Sequence, residues 1–235
     1  MAAQVRRRRV RTQRGVLAHP LDALAFLLPL ILFYEWVAAA GPDQLIAFRL
    51  LRRFLDLFGP LGPWAPGLAV ITILLATHAV SGEKWVVHWR EVGFMYVEAA
   101  GMALPLLVLN WVIPLSATSV PPDGFVQRLA VGIGAGIYEE LVFRLVLITV
   151  LIIVGVNFFK LEEGPVAVAA VCISSLAFAA HHHRPFTAEQ FSVLPFLFRT
   201  AAGCYLAIVF WYRGYGPAAG CHAAYNAILV VMGAR

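Results

Sequence analysis

The chain has 235 residues, of which 61% are hydrophobic and 13% are charged, and its mean hydropathy is +0.79. A soluble domain typically carries about 25% charged residues, so this composition excludes an ordinary soluble fold. A membrane-spanning helix needs about 20 apolar residues. The sequence therefore predicts an all-α polytopic membrane bundle with about 7–8 transmembrane helices.

The net charge of +5 comes largely from six arginines between residues 6 and 14. Such a run is typical of contact with nucleic acid or anionic lipid, or of a positive-inside topology signal. A hydrophobic span follows at once, which favours the topology signal and no nucleic-acid partner. We expect residues 1–20 to be a basic cytoplasmic segment and residues 21–235 to be a single domain in the inner (cytoplasmic) membrane.

Hydrophobic segments and breakers predict the helices of the first half. The expected first span is Asp22–Ala40, and it ends at a Gly-Pro-Asp sequence. Residues 44–58 mix arginine with leucine and phenylalanine, which is typical of an interfacial helix. Two further spans are expected at 64–80 and 92–115.

In the second half, residues 125–159 form an apolar stretch that is too long for one straight span. Three alternating glycines at 132, 134 and 136 permit close packing and predict a bend between a short helix and a long one. Further helices are expected at 166–183, 187–212 and 218–232.

Three ionisable side chains interrupt the apolar stretch: Glu139, Glu140 and Arg144. A charge near the bilayer centre costs at least roughly 2.5–3.5 kcal/mol, so these groups require compensation. Glu140 and Arg144 are spaced i,i+4 and can pair on one helix face. Glu139 is rotated by about 100° from Glu140, so this pair does not neutralise it. We interpret Glu140 as a paired acid with a structural role and Glu139 as an unpaired acid with a functional role.

Further polar groups occur on later helices. A run of three histidines occupies residues 181–183, while His222 and Asn226 share one face of the last helix at i,i+4. A bundle in which these groups meet the acids of residues 139 and 140 would satisfy the polar side chains and build a site.

Three ordered motifs carry a resemblance to a known family. EExxxR occurs at residues 139–144, FxxxH at 178–182 and HxxxN at 222–226. Over residues 125–230 the sequence resembles the CAAX-protease and bacteriocin-processing family of intramembrane endopeptidases, which contains the type II CAAX prenyl endopeptidases. The resemblance implies that residues 125–230 are the catalytic core.

The resemblance also implies a role for each motif residue. Glu139 would be the general base that activates water, and His182 would hold that water. His222 and Asn226 would donate hydrogen bonds to the oxyanion. Two supporting residues would orient the helix that carries the base: Glu140 and Arg144. The substrate would be a membrane-associated or lipidated peptide or protein in the bilayer.

The histidine run leaves a choice, because the family motif uses a single histidine. His182 fits the motif spacing, and His181 is the alternative if the helix bends early. His183 fits least.

Three other functions stay open at this stage. Glu139, His182 and His222 could form a zinc-binding set in a metalloprotease, although the chain lacks the HExxH spacing. The glutamic mechanism itself predicts no metal and no cofactor. A transporter or proton relay would also use buried Glu and His, although no repeated half is detectable. If the protein were a non-enzymatic scaffold, these polar residues would only stabilise the packing of the helices.

Overall fold

The computed structural model describes residues 19–40, 59, 64–113, 124–187 and 189–233. Regular structure within these residues is entirely helical. The arginine-rich segment and the predicted interfacial helix lie outside the described residues. In chain order the helices are α1 Pro20–Ala40, α2 Ala65–Ser81, α3 Trp89–Val112, α4 Phe125–Phe158, α5 Glu163–His181, α6 Val193–Arg213 and α7 Tyr215–Val231.

The predicted fold class, an all-α membrane bundle, is confirmed. Five helices of the described residues are long and apolar enough to cross a membrane, namely α1, α3, α4, α5 and α6. The other two helices, α2 and α7, have 17 residues each. A helix of that length rises about 26 Å, a few ångströms less than the hydrocarbon core.

Helix α4 continues through its three glycines, so the expected division into a short helix and a separate long helix is wrong. The glycines instead allow close packing, as the sequence also predicted. A Cβ added to Gly136 would lie 2.7 Å from the Cα of Ala223 on α7, and one added to Gly132 would lie 3.0 Å from the Cβ of Asn226. Helices α4 and α7 are therefore antiparallel and almost in backbone contact.

The departure from regular α geometry in α4 comes directly after the two acids. Residues Leu141–Ile148 form wider π-type turns, and a second such segment spans Ile153–Phe158. Wide turns of this kind often occur at functional sites.

Helix α7 runs in the same direction as α1 and α3. Gly216 packs on Ala23, and Gly220 packs on Ala99, whose Cβ would lie 3.1 Å from a Cβ added to Gly220. Ala99 is near the middle of α3, and His222 follows Gly220 by about 3 Å along the helix axis. His222 and the part of α4 that faces it therefore lie at mid-depth in the bundle.

The connection between α5 and α6 is longer than predicted, because α5 ends at His181 and α6 begins at Val193 instead of Thr187. The hydroxyl of Thr187 donates to the carbonyl of His182 at 2.6 Å. The amide of Arg184 donates to the carbonyl of Glu189 at 2.8 Å. These bonds fold residues 182–187 and 189–192 back onto the end of α5, and we call these residues the α5–α6 loop.

Candidate active site

Glu140 is the centre of a buried polar cluster. Arg144 Nη1 and His222 Nδ1 lie 3.0 Å and 2.9 Å from the same oxygen, Glu140 Oε1. The side chains of Glu140 and Arg144 are 0% exposed, so the i,i+4 pair expected from the sequence forms inside the bundle. Because a carboxylate paired with arginine only accepts hydrogen bonds, His222 carries a proton on Nδ1.

Arg144 links this cluster to two other helices. Its Nη2 donates to the carbonyl of Gly203 on α6 at 3.3 Å. Its guanidinium carbon lies 4.4 Å from the centre of the Phe178 ring on α5, within the range of a cation–π contact. The fully buried guanidinium therefore ties α4 to α5 and α6.

Glu139 faces two imidazoles from different helices. Its Oε1 lies 3.7 Å from His182 Nε2, and its Oε2 lies 3.9 Å from His222 Nε2. These separations are too long for direct hydrogen bonds, so the facing atoms stay available to a water that lies beside them. The arrangement can hold a water between a carboxylate and an imidazole.

The tautomer of His182 follows from its other nitrogen. Nδ1 lies 2.8 Å from the carbonyl oxygen of Phe178, and a carbonyl can only accept, so Nδ1 carries the proton. His182 follows the last residue of α5, and burial together with the positive charge of Arg199 holds the pKa of His182 well below its usual range. A neutral ring with this tautomer presents Nε2 towards Glu139 as an acceptor.

His222 differs from His182 in what its Nε2 can do. With Nδ1–H donated to Glu140, the neutral ring can only accept at Nε2, whereas the imidazolium can donate there. A donor role for His222 towards an oxyanion therefore requires the protonated ring.

Asn226 lies one turn beyond His222, and its Nδ2 donates to the carbonyl of Gly132 at 2.9 Å. Gly132 is seven residues before Glu139, about 10 Å along the helix. The hydrogen bond ties α7 to α4 and uses one of the two amide hydrogens of Asn226. The structure thus brings Glu139, His182 and His222 together, with Asn226 at the edge of the cluster.

The other two histidines of the run point elsewhere. The ring of His181 packs 5.6 Å from that of Phe143 and 5.7 Å from that of Phe186. His183 is buried, and its Nδ1 lies 3.2 Å from the carbonyl of Gln190. His182 is the member of the run that faces Glu139.

Two residues near the cluster received no role from the sequence. The Phe178 ring lies 4.9 Å from the ring of His182 and 5.8 Å from that of His222, so it packs against both imidazoles. The sequence feature that could have indicated a role for Phe178 is its position in the FxxxH motif, one turn before His182. Arg199 on α6 forms an ion pair with Glu189, and no motif marks it.

Metal binding was an alternative for this cluster. Among residues that the structure describes, no group of three or more His, Cys, Asp or Glu side chains is arranged so that it could hold a metal ion.

Residues 121–228 match a family model described as type II CAAX prenyl endopeptidase Rce1-like. The match includes all three motifs and the helices that carry them. No curated protein and no solved structure matches the chain. The resemblance seen in the motifs is confirmed by the family match, and residues 121–228 are similar to the Rce1-like family of type II CAAX prenyl endopeptidases.

Proposed function

We propose that the protein is an intramembrane endopeptidase in which Glu139 activates a water molecule for attack on a peptide bond. The observation that carries this proposal is the Glu139 carboxylate facing the Nε2 atoms of two histidines, His182 on the loop after α5 and His222 on α7. A carboxylate, a neutral imidazole and a potential imidazolium supply the base, the water-holding group and the donor that hydrolysis requires.

In the first step, a water hydrogen-bonds to Glu139 and to the free Nε2 of His182. Glu139 removes one proton from the water, and the water oxygen forms a bond to the scissile carbonyl carbon. The carbonyl π electrons move to oxygen, which gives a tetrahedral intermediate with one negative charge. Holding the water between two acceptors fixes its lone pair towards the carbonyl.

The oxyanion needs donors where its charge develops. The Nε2–H of the His222 imidazolium is suited to this role, because Glu140 holds the opposite nitrogen. The second amide hydrogen of Asn226 is the other donor in this proposal. Collapse of the intermediate breaks the C–N bond, and Glu139 gives its proton to the leaving amine. The products are a carboxylic acid and an amine, and Glu139 is ionised again. Transfer of the acid's proton to the amine then gives a carboxylate and an ammonium group.

The substrate class follows from the family and from the depth of the site. The matching family is described as type II CAAX prenyl endopeptidase Rce1-like, and on that basis we propose a prenylated or otherwise membrane-associated peptide or protein. The mid-depth position of His222, two residues after the Gly220 that packs on Ala99, supports a substrate that enters from the bilayer. We further propose an inner-membrane location with a cytoplasmic N-terminus.

The test uses the full-length protein in liposomes and a farnesylated, quenched fluorescent peptide that ends in a CAAX sequence. Glu139→Gln should lower kcat/KM by about 10²–10⁴-fold, the usual contribution of a general base. Glu98→Gln is the matched control, because it removes a carboxylate that pairs with Arg213 on the outside of the bundle. Activity of Glu139→Gln within twofold of the unmodified protein would overturn the proposal, as would no cleavage by the unmodified protein.

The same samples separate the alternatives. One zinc per protein together with loss of cleavage in chelator would replace the glutamate-activated water by a metal-bound one. Proton flux across the liposome membrane that depends on Glu139, without cleavage, would indicate a relay. The proposal expects neither result.

A further inference from the structure

Arg199 and Glu189 form a rigid ion pair beside the candidate site. Arg199 Nη1 and Nη2 lie 2.7 Å and 2.8 Å from the two carboxylate oxygens of Glu189. The side chains are only 16% and 12% exposed. Bidentate pairs of this geometry fix both partners in orientation as well as in distance.

Glu189 belongs to the α5–α6 loop, which starts at His182. The backbone of Glu189 accepts from Arg184, and Thr187 donates to the carbonyl of His182. His183 Nδ1 donates to the carbonyl of Gln190. The loop is therefore bonded internally from His182 onwards, and the Arg199 guanidinium fastens it to α6.

Arg199 also acts on His182 through its charge. After burial, the positive charge of Arg199 is the next largest cause of the lowered pKa of His182. Keeping His182 neutral leaves its Nε2 free to accept a hydrogen bond from water. The ion pair thus bears on both the position and the protonation state of the imidazole.

We propose that Arg199 is a positioning residue that, through Glu189 and the α5–α6 loop, holds the neutral His182 ring against Glu139. This inference rests on the proposed function. It assigns to α6 a part in the site that none of the three motifs contains.

The experiment separates geometry from charge. Arg199→Lys keeps a positive charge but cannot form the bidentate pair, whereas Arg199→Gln removes both. A matched control is Arg213→Gln, because Arg213 lies on the same helix and forms a second bidentate pair with Glu98 at 2.6 Å and 2.9 Å. Cleavage of the farnesylated peptide is measured across pH, with the melting temperature of each variant.

We expect kcat to fall by roughly 10–100-fold in both Arg199 variants with KM nearly unchanged, as positioning losses of this size are known. In Arg199→Gln, the loss of positive charge raises the pKa of His182, so the acid limb of the pH profile moves to higher pH. In Arg199→Lys the acid limb stays in place. The other titratable groups that face His182 are Glu139 on α4, His222 on α7 and His181 on α5, and the loss of the Arg199 charge acts on Glu139 as well as on His182.

Wild-type kcat and pH profile in both Arg199 variants would overturn the inference. So would equal losses of activity in the Arg199 and Arg213 variants that follow their melting temperatures, since that pattern indicates a purely structural pair. Either result, with Glu139→Gln still inactive, leaves the proposed function standing. Full activity of Glu139→Gln would instead remove the proposed function itself.

Discussion

The two adjacent glutamates have different surroundings because a helix turns by about 100° per residue. Glu140 contacts Arg144 and His222 within 3.0 Å. Glu139 contacts the two imidazoles only at 3.7 Å and 3.9 Å. A carboxylate with short ionic contacts is held in place, whereas one without direct hydrogen bonds to the facing imidazoles can accept a hydrogen bond from a water. The same residue type is therefore suited to an anchor at position 140 and to the proposed base at position 139.

Glu140→Gln is expected to destabilise the protein. It leaves the fully buried Arg144 guanidinium without its negative partner, and removing one member of a buried ion pair typically costs about 3–5 kcal/mol. It also removes the carboxylate that His222 Nδ1 contacts at 2.9 Å. Thermal unfolding of the purified protein in detergent, with Glu139→Gln beside it, measures the difference. Equal melting temperatures for Glu140→Gln and the unmodified protein would contradict the anchoring role.

At this scale much of the site could be predicted from the sequence. The i,i+4 spacing of Glu140 and Arg144 predicted their pairing, and the motif spacing selected His182, which faces Glu139. The hydrogen bond from Asn226 to Gly132 could not be predicted, because it depends on the distance between two helices. The ion pair of Arg199 with Glu189 depends on how a loop folds, which helical periodicity does not encode.

The close contact between α4 and α7 sets the position of His222 relative to Glu139. Gly136 meets the backbone of Ala223, next to His222, where a Cβ would have no room. Sequence reasoning recognised that the glycines permit close packing, but it also predicted a bend there. The helix is nevertheless continuous from Phe125 to Glu140, because packing against α7 supports it and tertiary contacts override the low helix propensity of glycine.

Gly136→Ala should lower both stability and activity. The added Cβ would lie 2.7 Å from the Cα of Ala223, and backbone cannot move aside as a flexible side chain can. Overpacking of this kind typically costs about 1–3 kcal/mol. Gly101→Ala in α3 is the control, since nothing lies within 4 Å of its added Cβ. The melting temperature and the rate of peptide cleavage are compared between the two variants. An unchanged melting temperature and cleavage rate in Gly136→Ala would show that α4 and α7 are not in close backbone contact.

Across the whole molecule, the family-matched region is joined to helices outside it. Tyr138, next to Glu139, donates its hydroxyl to Glu35 of α1 at 2.9 Å, and Glu35 is 4% exposed. The ring of Tyr34 packs 5.2 Å from that of Tyr138. Helix α1 therefore supports α4 on the side away from the histidines. This partner of Glu35 could not be predicted from the sequence, because Tyr138 is 103 residues away.

Tyr138→Phe should destabilise the bundle by about 1–3 kcal/mol, because it leaves a buried carboxyl without its hydrogen-bond donor. Adding Glu35→Leu should restore part of that loss, since both polar partners are then gone. Tyr205→Phe is the control, because the Tyr205 hydroxyl donates to the carbonyl of Met102, away from α1. Unfolding midpoints of the single and double variants give the coupling between the two positions. Additive losses would contradict a direct Glu35–Tyr138 interaction.

The central claim is that Glu139 performs base catalysis within the membrane bundle. The most direct measurement is the ratio of kcat/KM between Glu139→Gln and the unmodified protein, in liposomes with chelator and the farnesylated peptide. We expect a ratio of about 10⁻² to 10⁻⁴ with an unchanged melting temperature. A ratio near one would contradict the account.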